Sequence, residues 1–117
     1  MSRWEMIARL PLPSLRVLLD RFDTVRILDA ACGRSYLSTL LAWTFVHHWR
    51  HPVQILGVDR NPALVEESRR RTELIDLEGV LRFEVASLDR LDVAAAWDAA
   101  FQEAHEDAPL HGLVSLH

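Results

Sequence analysis

Lysine is missing from this chain: all 13 basic residues are arginines, set against 17 acidic ones, for a net charge of −4. A negative sum with scattered arginines, broken only by the run Arg69-Arg70-Arg71, argues against the basic stripe of a nucleic-acid binder. Cysteine is nearly missing too. The single Cys32 excludes an intrachain disulfide framework and fits a reducing, cytoplasmic compartment. Glycine and proline contribute 4 and 5 residues, too few for a low-complexity or linker-rich chain. No apolar run reaches the roughly 20 residues of a membrane helix. The start, Met1-Ser2-Arg3-Trp4-Glu5, lacks the pattern of a secretory signal. What remains is a chain of 117 residues, half of them hydrophobic, sized for one soluble domain with one core. The exclusive use of arginine reads most simply as the codon usage of a GC-rich genome; an arginine surface for phosphates is the competing reading.

Periodicity alternates along the chain. Residues 3–10 and 14–22 are apolar at helical spacing around the breaker Pro11-Leu12-Pro13, which makes 1–24 an N-terminal helical segment. Residues 25–30 read as a strand, 35–49 as a helix ended by Pro52, and 53–59 as a second strand so continuously apolar that both faces are buried. Asn61-Pro62 opens the next helix, which carries Glu66/Arg70 and Glu67/Arg71 at four-residue spacing and closes at Gly79. Residues 81–88 alternate as a third strand, Asp92 caps a helix over 93–105, and 113–116 form a fourth strand. Strands alternating with helices of this length predict an α/β fold, a partial doubly wound parallel sheet of order 3-2-1-4 over residues 25–117. In such sheets ligands bind beyond the carboxyl ends of the strands, so the chemistry is sought at 29–35, 59–61, 86–89 and 115–117.

The first of these turns reads Asp29-Ala30-Ala31-Cys32-Gly33-Arg34-Ser35-Tyr36. Small residues between a strand and a helix let the backbone turn tightly and let a ligand approach it. A dinucleotide fingerprint registered on Ala31 and Gly33 would put Tyr36 where a third small residue is needed. The pattern D-x-G-x-G-x-G fits better, with Asp29, Ala31, Gly33 and Ser35 in place and two glycines replaced by Ala and Ser. A second acid, Asp59, ends the second strand 24 residues after Ser35, near the roughly 20 expected of a ribose-binding carboxylate. Taken singly, Asp29 could be a strand-end cap, Asp59 a turn residue and Ser87 an ordinary loop serine. Jointly, the acid and small-residue loop after the first strand and the acid ending the second favour a cofactor site.

The segment 27–38, Ile-Leu-Asp-Ala-Ala-Cys-Gly-Arg-Ser-Tyr-Leu-Ser, resembles motif I of the class I S-adenosylmethionine-dependent methyltransferases, and Leu116-His117 resembles the end of that family's fourth strand. The resemblance covers about residues 25–117. It implies a Rossmann-like fold, S-adenosylmethionine as cofactor, and a set of contacts on matching positions. Asp29 and the backbone of Ala31, Cys32, Gly33 and Ser35 would hold the methionine moiety. Asp59 would accept both ribose hydroxyls. Arg60 would border the adenine, and Ser87 and Leu88 would meet its amino group and face. His117 would be the first residue of the methyl-transfer pocket. The resemblance also implies more strands than the four read here, so the chain is expected to be the cofactor-binding half of a domain, inactive alone and with its methyl acceptor unnamed.

Other candidates carry blander readings. Cys32 at a helix start suggests a nucleophile, but no His accompanies it in the sequence. His47 and His51 share a helix spacing without a Cys or acid beside them, so no metal is expected and a solvated helix end is the simpler role. The arginine run reads as a solvated helix face. Two rivals remain open: an NAD(P)-binding domain of an oxidoreductase, and a non-catalytic α/β interaction module. Finally, a fourth strand with one paired side predicts a homodimer through its open edge.

Overall fold

A computed structural model describes residues 17–30, 32–101 and 114–116. The β-branched apolar runs form parallel strands and the amphipathic runs between them form helices. In chain order these are α1 (Val17–Arg21), β1 (Val25–Ala30), α2 (Tyr36–Trp43), a π turn (Thr44–His48), β2 (Val53–Asp59), α3 (Pro62–Leu74), β3 (Leu81–Val85), a 3-10 turn (Leu88–Arg90), α4 (Val93–Phe101) and β4 (Val114–Leu116). β2 lies between β1 and β3, with Ile27 opposite Ile55 and Gly57 opposite Phe83. The short β4 runs parallel along the other side of β1, so neighbours read β3-β2-β1-β4. Among the described residues no helix is long and apolar enough to cross a membrane.

Strand alternation splits the core into two layers. Val25, Ile27, Val53, Ile55, Leu81 and Phe83 turn to one face, where Leu18 of α1, Leu41 of α2, Phe45 and Val65 of α3 cover them. Leu28, Ala30, Leu56 and Val58 turn to the other, under Trp97 and Ala100 of α4. Each fully buried Leu, Ile or Phe contributes roughly 1.5–3 kcal/mol of transfer free energy. β2 is buried on both faces, which is why its sequence is nearly continuous in apolar character. The indole N–H of Trp97 donates to Gln54 Oε1 at 2.8 Å, so the polar tip of this buried ring is satisfied.

The helix expected over 35–49 divides. α2 ends at Trp43, and the N–H of Trp49 bonds to Thr44 O at 2.8 Å, a widened turn that buries Phe45 and sets Trp49 edge-on against it at 4.9 Å. α3 starts as its sequence predicts, with Asn61 Oδ1 accepting from the Ala63 N–H at 3.0 Å and Pro62 in the first position. It does not close at Gly79. The helix stops at Leu74 and Asp76 takes a positive φ of 58°, a conformation that Asp tolerates, because this turns Leu77 into the core. The third strand ends at Val85 rather than 88, and residues 87–90 curl into a turn closed by Arg90 N–H on Ser87 O at 3.0 Å.

The arginine run is not a uniformly solvated face. Arg69 donates from Nε and Nη2 to the carbonyl of Phe83, at 3.2 and 2.7 Å, and its guanidinium lies 3.6 Å from Glu84 and 3.9 Å from Glu66. Among the described residues these are the ion pairs of α3, in place of the expected Glu66/Arg70 and Glu67/Arg71. β3 is an outer strand, and Arg69 occupies a carbonyl that would otherwise invite another strand. The expectations for 1–16, Ala31, 102–113 and His117 lie outside the described residues.

Candidate functional site

The carboxyl ends of β1, β2 and β3 meet at Asp59. Beyond the last β1–β2 rung, the N–H of Cys32 still bonds to Val58 O at 2.8 Å, which carries the chain over the end of β2 before it turns. Gly33 then adopts φ +55°, a conformation that costs a residue with a Cβ of order 1–2 kcal/mol. That turn aims the Gly33 N–H at Asp59 Oδ2, 2.9 Å away. The other carboxylate oxygen, Oδ1, accepts from the Asn61 N–H at 2.9 Å. Each oxygen thus spends one acceptor site on the backbone, and a carboxylate oxygen has two. On the far side, the Ala86 N–H bonds to Asp59 O at 3.0 Å and leads the chain to Ser87 and Leu88.

Asp59, Arg60, Ala86, Ser87, Leu88 and Asp89 line a cleft of about 510 Å³. Its character is mixed. Leu88 is 48% exposed and Val85 is exposed beside it, an apolar surface suited to a flat ring, while Asp59 and Ser87 supply polar edges. The hydroxyl of Ser87 hydrogen-bonds Asp89, and that bond holds the Asp89 carboxyl below its ordinary range. Among the described residues nothing lies within 4 Å of where a Cβ on Gly33 would stand, so the turn is open to a ligand at Gly33.

The floor beneath that turn uses Gly57, which belongs to none of the sequence motifs. A Cβ on Gly57 would stand 2.7 and 2.8 Å from ring carbons of Phe83 and 3.2 Å from Cys32 Sγ. Phe83 therefore leans across Gly57, and the thiol packs on the same spot. The available signal was an isolated glycine inside an apolar strand, a mark of close approach. Burial, with the charges of Asp29 and then Asp59, pushes the Cys32 thiol from 9.0 up to about 12. Such a thiol is protonated at neutral pH and is a packing group, as the absence of a nearby sequence histidine suggested.

Asp29 and Ser35 sit differently from the other site residues. Asp29 is only 5% exposed and its carboxylate accepts from the Ser38 hydroxyl, tying the end of β1 to α2. Ser35, 2% exposed, precedes α2 with φ +61° and does not cap it; its hydroxyl bonds to Arg34 O at 2.6 Å and to Ser68 Oγ of α3 at 3.1 Å. Tyr36 is 65% exposed, with the Arg71 guanidinium 5.2 Å over its ring. Its bulk stands outside the helix–strand contact that a dinucleotide fingerprint would fill with a small residue. His47 and His48 are exposed, while the ring nitrogens of His51 lie 2.9 Å from Pro52 O and 3.1 Å from Leu19 O. No metal-binding group of His, Cys, Asp and Glu occurs among the described residues.

A family model described as a methyltransferase domain matches residues 5–117. The chain belongs to that family. Among solved structures, this methyltransferase domain is similar to the [4+2]-cyclase SpnF, at 20% identity and a TM-score of 0.52, covering 76% of this chain and 34% of that one. It is also similar to geranyl diphosphate C-methyltransferase from Streptomyces coelicolor A3(2), solved with Mg2+, geranyl diphosphate and S-adenosyl-L-homocysteine, at 21% identity, a TM-score of 0.46 and 68% and 30% coverage. A S-adenosylmethionine-dependent methyltransferase from Thiobacillus denitrificans, complexed with S-adenosyl-L-homocysteine, gives 21%, 0.42, 74% and 37%. The domain thus spans about a third of the length of these structures. No curated protein matches it. The likeness to the cyclase is one of fold, and a fold leaves the reaction open.

Proposed function

We propose that the chain is the cofactor-binding portion of a S-adenosylmethionine-dependent methyltransferase. The observation that carries this reading is the convergence on Asp59: the Gly33 N–H of the first turn, 2.9 Å from its carboxylate, and the Arg60–Leu88 cleft on its other side. Asp59 would accept the ribose hydroxyls on its remaining acceptor sites. Arg60, Ser87 and Leu88 would take the adenine, Leu88 by its apolar surface and Ser87 by a polar edge. The backbone of Ala31, Cys32, Gly33 and Ser35 would hold the methionine moiety, with open space beside Gly33 and with Asp29 behind as the negative charge that suits an ammonium group. When bound, this cofactor supplies a methyl group already activated by its sulfonium. The protein's contribution is then proximity and orientation rather than strong acid–base chemistry.

The methyl acceptor would be met by residues following β4, His117 first among them, and the described residues hold no wall for it. We place the protein in the cytoplasm on its single cysteine, which suits a reducing compartment. The outer side of β4 has no neighbouring strand among the described residues, and we propose that the 117-residue polypeptide pairs there with a second copy. Sedimentation as a monomer at micromolar concentration would count against that pairing.

The test of the cofactor reading is calorimetric titration with S-adenosylhomocysteine. Wild type should bind, and Asp59→Ala should weaken binding by about 1.5–3 kcal/mol through loss of charge-assisted hydrogen bonds. Asp59→Asn, which keeps one acceptor, should fall between. Equal affinity for wild type and Asp59→Ala would remove Asp59 from the site, and binding of NADH in preference would favour the oxidoreductase reading.

A further inference from the structure

We infer that Ser68 and Arg71 of α3 are positioning residues for the first turn, forming a clamp that does for Ser35 what a glycine's freedom would otherwise do. Ser35 holds φ +61° although it carries a Cβ, and Gly33 two residues earlier holds φ +55°. The peptide between Arg34 and Ser35 therefore lies in a stretch that the backbone alone does not favour. Two donors converge on its carbonyl: the Ser35 hydroxyl at 2.6 Å and Arg71 Nη2 at 2.8 Å. A hydroxyl has one proton. With the Ser35 proton committed to Arg34 O, the 3.1 Å contact to Ser68 is a bond in which Ser68 donates. Ser68 is fully buried, so this bond is shielded from water. The Arg71 guanidinium also lies 5.2 Å over the Tyr36 ring, fixing the next residue along.

α3 is thereby bonded to Arg34 and Ser35 and ringed against Tyr36. It is also the helix that starts directly after Asp59 and Asn61. The consequence is a closed loop of contacts. β2 delivers Asp59, which holds the Gly33 N–H; α3, leaving from the same point, holds the peptide two residues on. The clamp thus sets the Gly33 N–H on the carboxylate and presents the open backbone of the turn in one arrangement. Toward S-adenosylmethionine the inference rests on the cofactor reading of this turn, but the clamp itself is a property of the chain alone.

The test combines two readouts on the 117-residue chain. In ligand-free protein, amide exchange at Gly33 should speed up at least tenfold in Ser68→Ala and in Arg71→Met, while amides within the β1–β2 ladder keep their protection. In titrations with S-adenosylhomocysteine, Ser68→Ala should weaken binding about five- to tenfold and Arg71→Met about three- to fivefold. The deciding comparison uses a Ser35→Gly background, where left-handed backbone is freely available and no hydroxyl needs anchoring. There Ser68→Ala should change affinity and Gly33 exchange by less than twofold. A Ser68→Ala penalty of equal size in both backgrounds would overturn the clamp, because it would mean a packing defect in α3. Unchanged Gly33 exchange in both single variants would overturn it as well. If wild type fails to bind S-adenosylhomocysteine, the cofactor reading falls and the exchange arm still decides the clamp.

Discussion

The turn after β1 and the turn after β3 flank the same carboxylate, yet they are built in opposite ways. The first is cross-bonded to its surroundings around a buried Ser35: Gly33 to Asp59, Ser35 to Arg34 and Ser68, Arg71 to Arg34, with Phe83 and Cys32 packed on Gly57 beneath. The second is exposed from Ser87 to Arg90 and is held by a short turn and one side-chain bond, Ser87 to Asp89. A backbone that must present its own N–H and bare Cα surface to a ligand has to be fixed by its surroundings. A flat apolar contact needs only a side chain of the right size nearby. Changes in the first turn should therefore damage both stability and binding, and changes in the second should touch binding alone.

The largest effect is expected at Gly33→Val. The space around the Cβ position is open, so the side chain would project into the ligand's path rather than into protein. The positive φ would still cost about 1–2 kcal/mol of stability, since a β-branched residue opposes it. No heat of S-adenosylhomocysteine binding should be detectable, with a circular dichroism spectrum close to wild type. Gly33→Ala separates the causes: it bears a similar backbone cost with less bulk, and should retain part of the binding. Normal binding by Gly33→Val would move the ligand away from this turn.

Gly57→Ala should come next, and its loss is one of stability. The added methyl would stand under 3 Å from ring carbons of the buried Phe83, so the ring or the strand must shift. Overpacking of this kind costs about 1–3 kcal/mol, a fall in Tm of roughly 5–15 °C. Binding should weaken as well, because the ring and Cys32 form the floor of the turn. Pairing the change with Phe83→Leu should restore part of the Tm. A Gly57→Ala protein as stable as wild type would show that the floor is soft and that the contrast between the two turns is overstated.

Much of this arrangement is legible in the sequence, for identifiable reasons. β1 stands where an apolar, β-branched run begins, β2 where a nearly continuous apolar run demands burial on both faces, and Asn61-Pro62 starts α3 because the cap and the fixed φ act locally. What escapes the sequence is whatever depends on distant partners. Ser35 and Ser68 are 33 residues apart and look like two ordinary serines until α3 folds over the turn. Gly79 resembled a helix end, but the burial of Leu77 moved the turn back to Asp76. Arg69 and Arg71 looked like a solvated run because a charge pattern does not reveal that two backbone carbonyls, Phe83 and Arg34, lie within reach.

On the exposed side, Leu88→Ala should leave Tm unchanged and weaken S-adenosylhomocysteine binding by about 1 kcal/mol. Leu88 is half exposed and packs on no core cluster, so folding gains little from it. Its apolar surface would be covered only when an adenine lies on it, and that is the area lost. A Tm shift as large as that of Gly57→Ala would place Leu88 with the rigid half after all.

The smallest effect is expected at Cys32 near neutral pH, where nothing should happen. Its thiol is pushed up to about 12 by burial and by the neighbouring carboxylates of Asp29 and Asp59. Folded protein should therefore resist iodoacetamide at pH 7.5, and should react only after denaturation exposes a thiol near its ordinary 9.0. Stability follows with a definite sign. The folded state holds the proton more tightly than the unfolded one, so its advantage is fully present below pH 9 and is lost as pH climbs from 9 toward 12. Cys32→Ala, which has no proton to hold, should show a flatter decline across that window when urea midpoints are compared between pH 8 and pH 11. Parallel declines for the two proteins, or rapid alkylation of the folded chain at pH 7.5, would mean that the thiol is less enclosed than its contacts with Gly57 indicate, and that the first turn is open from below.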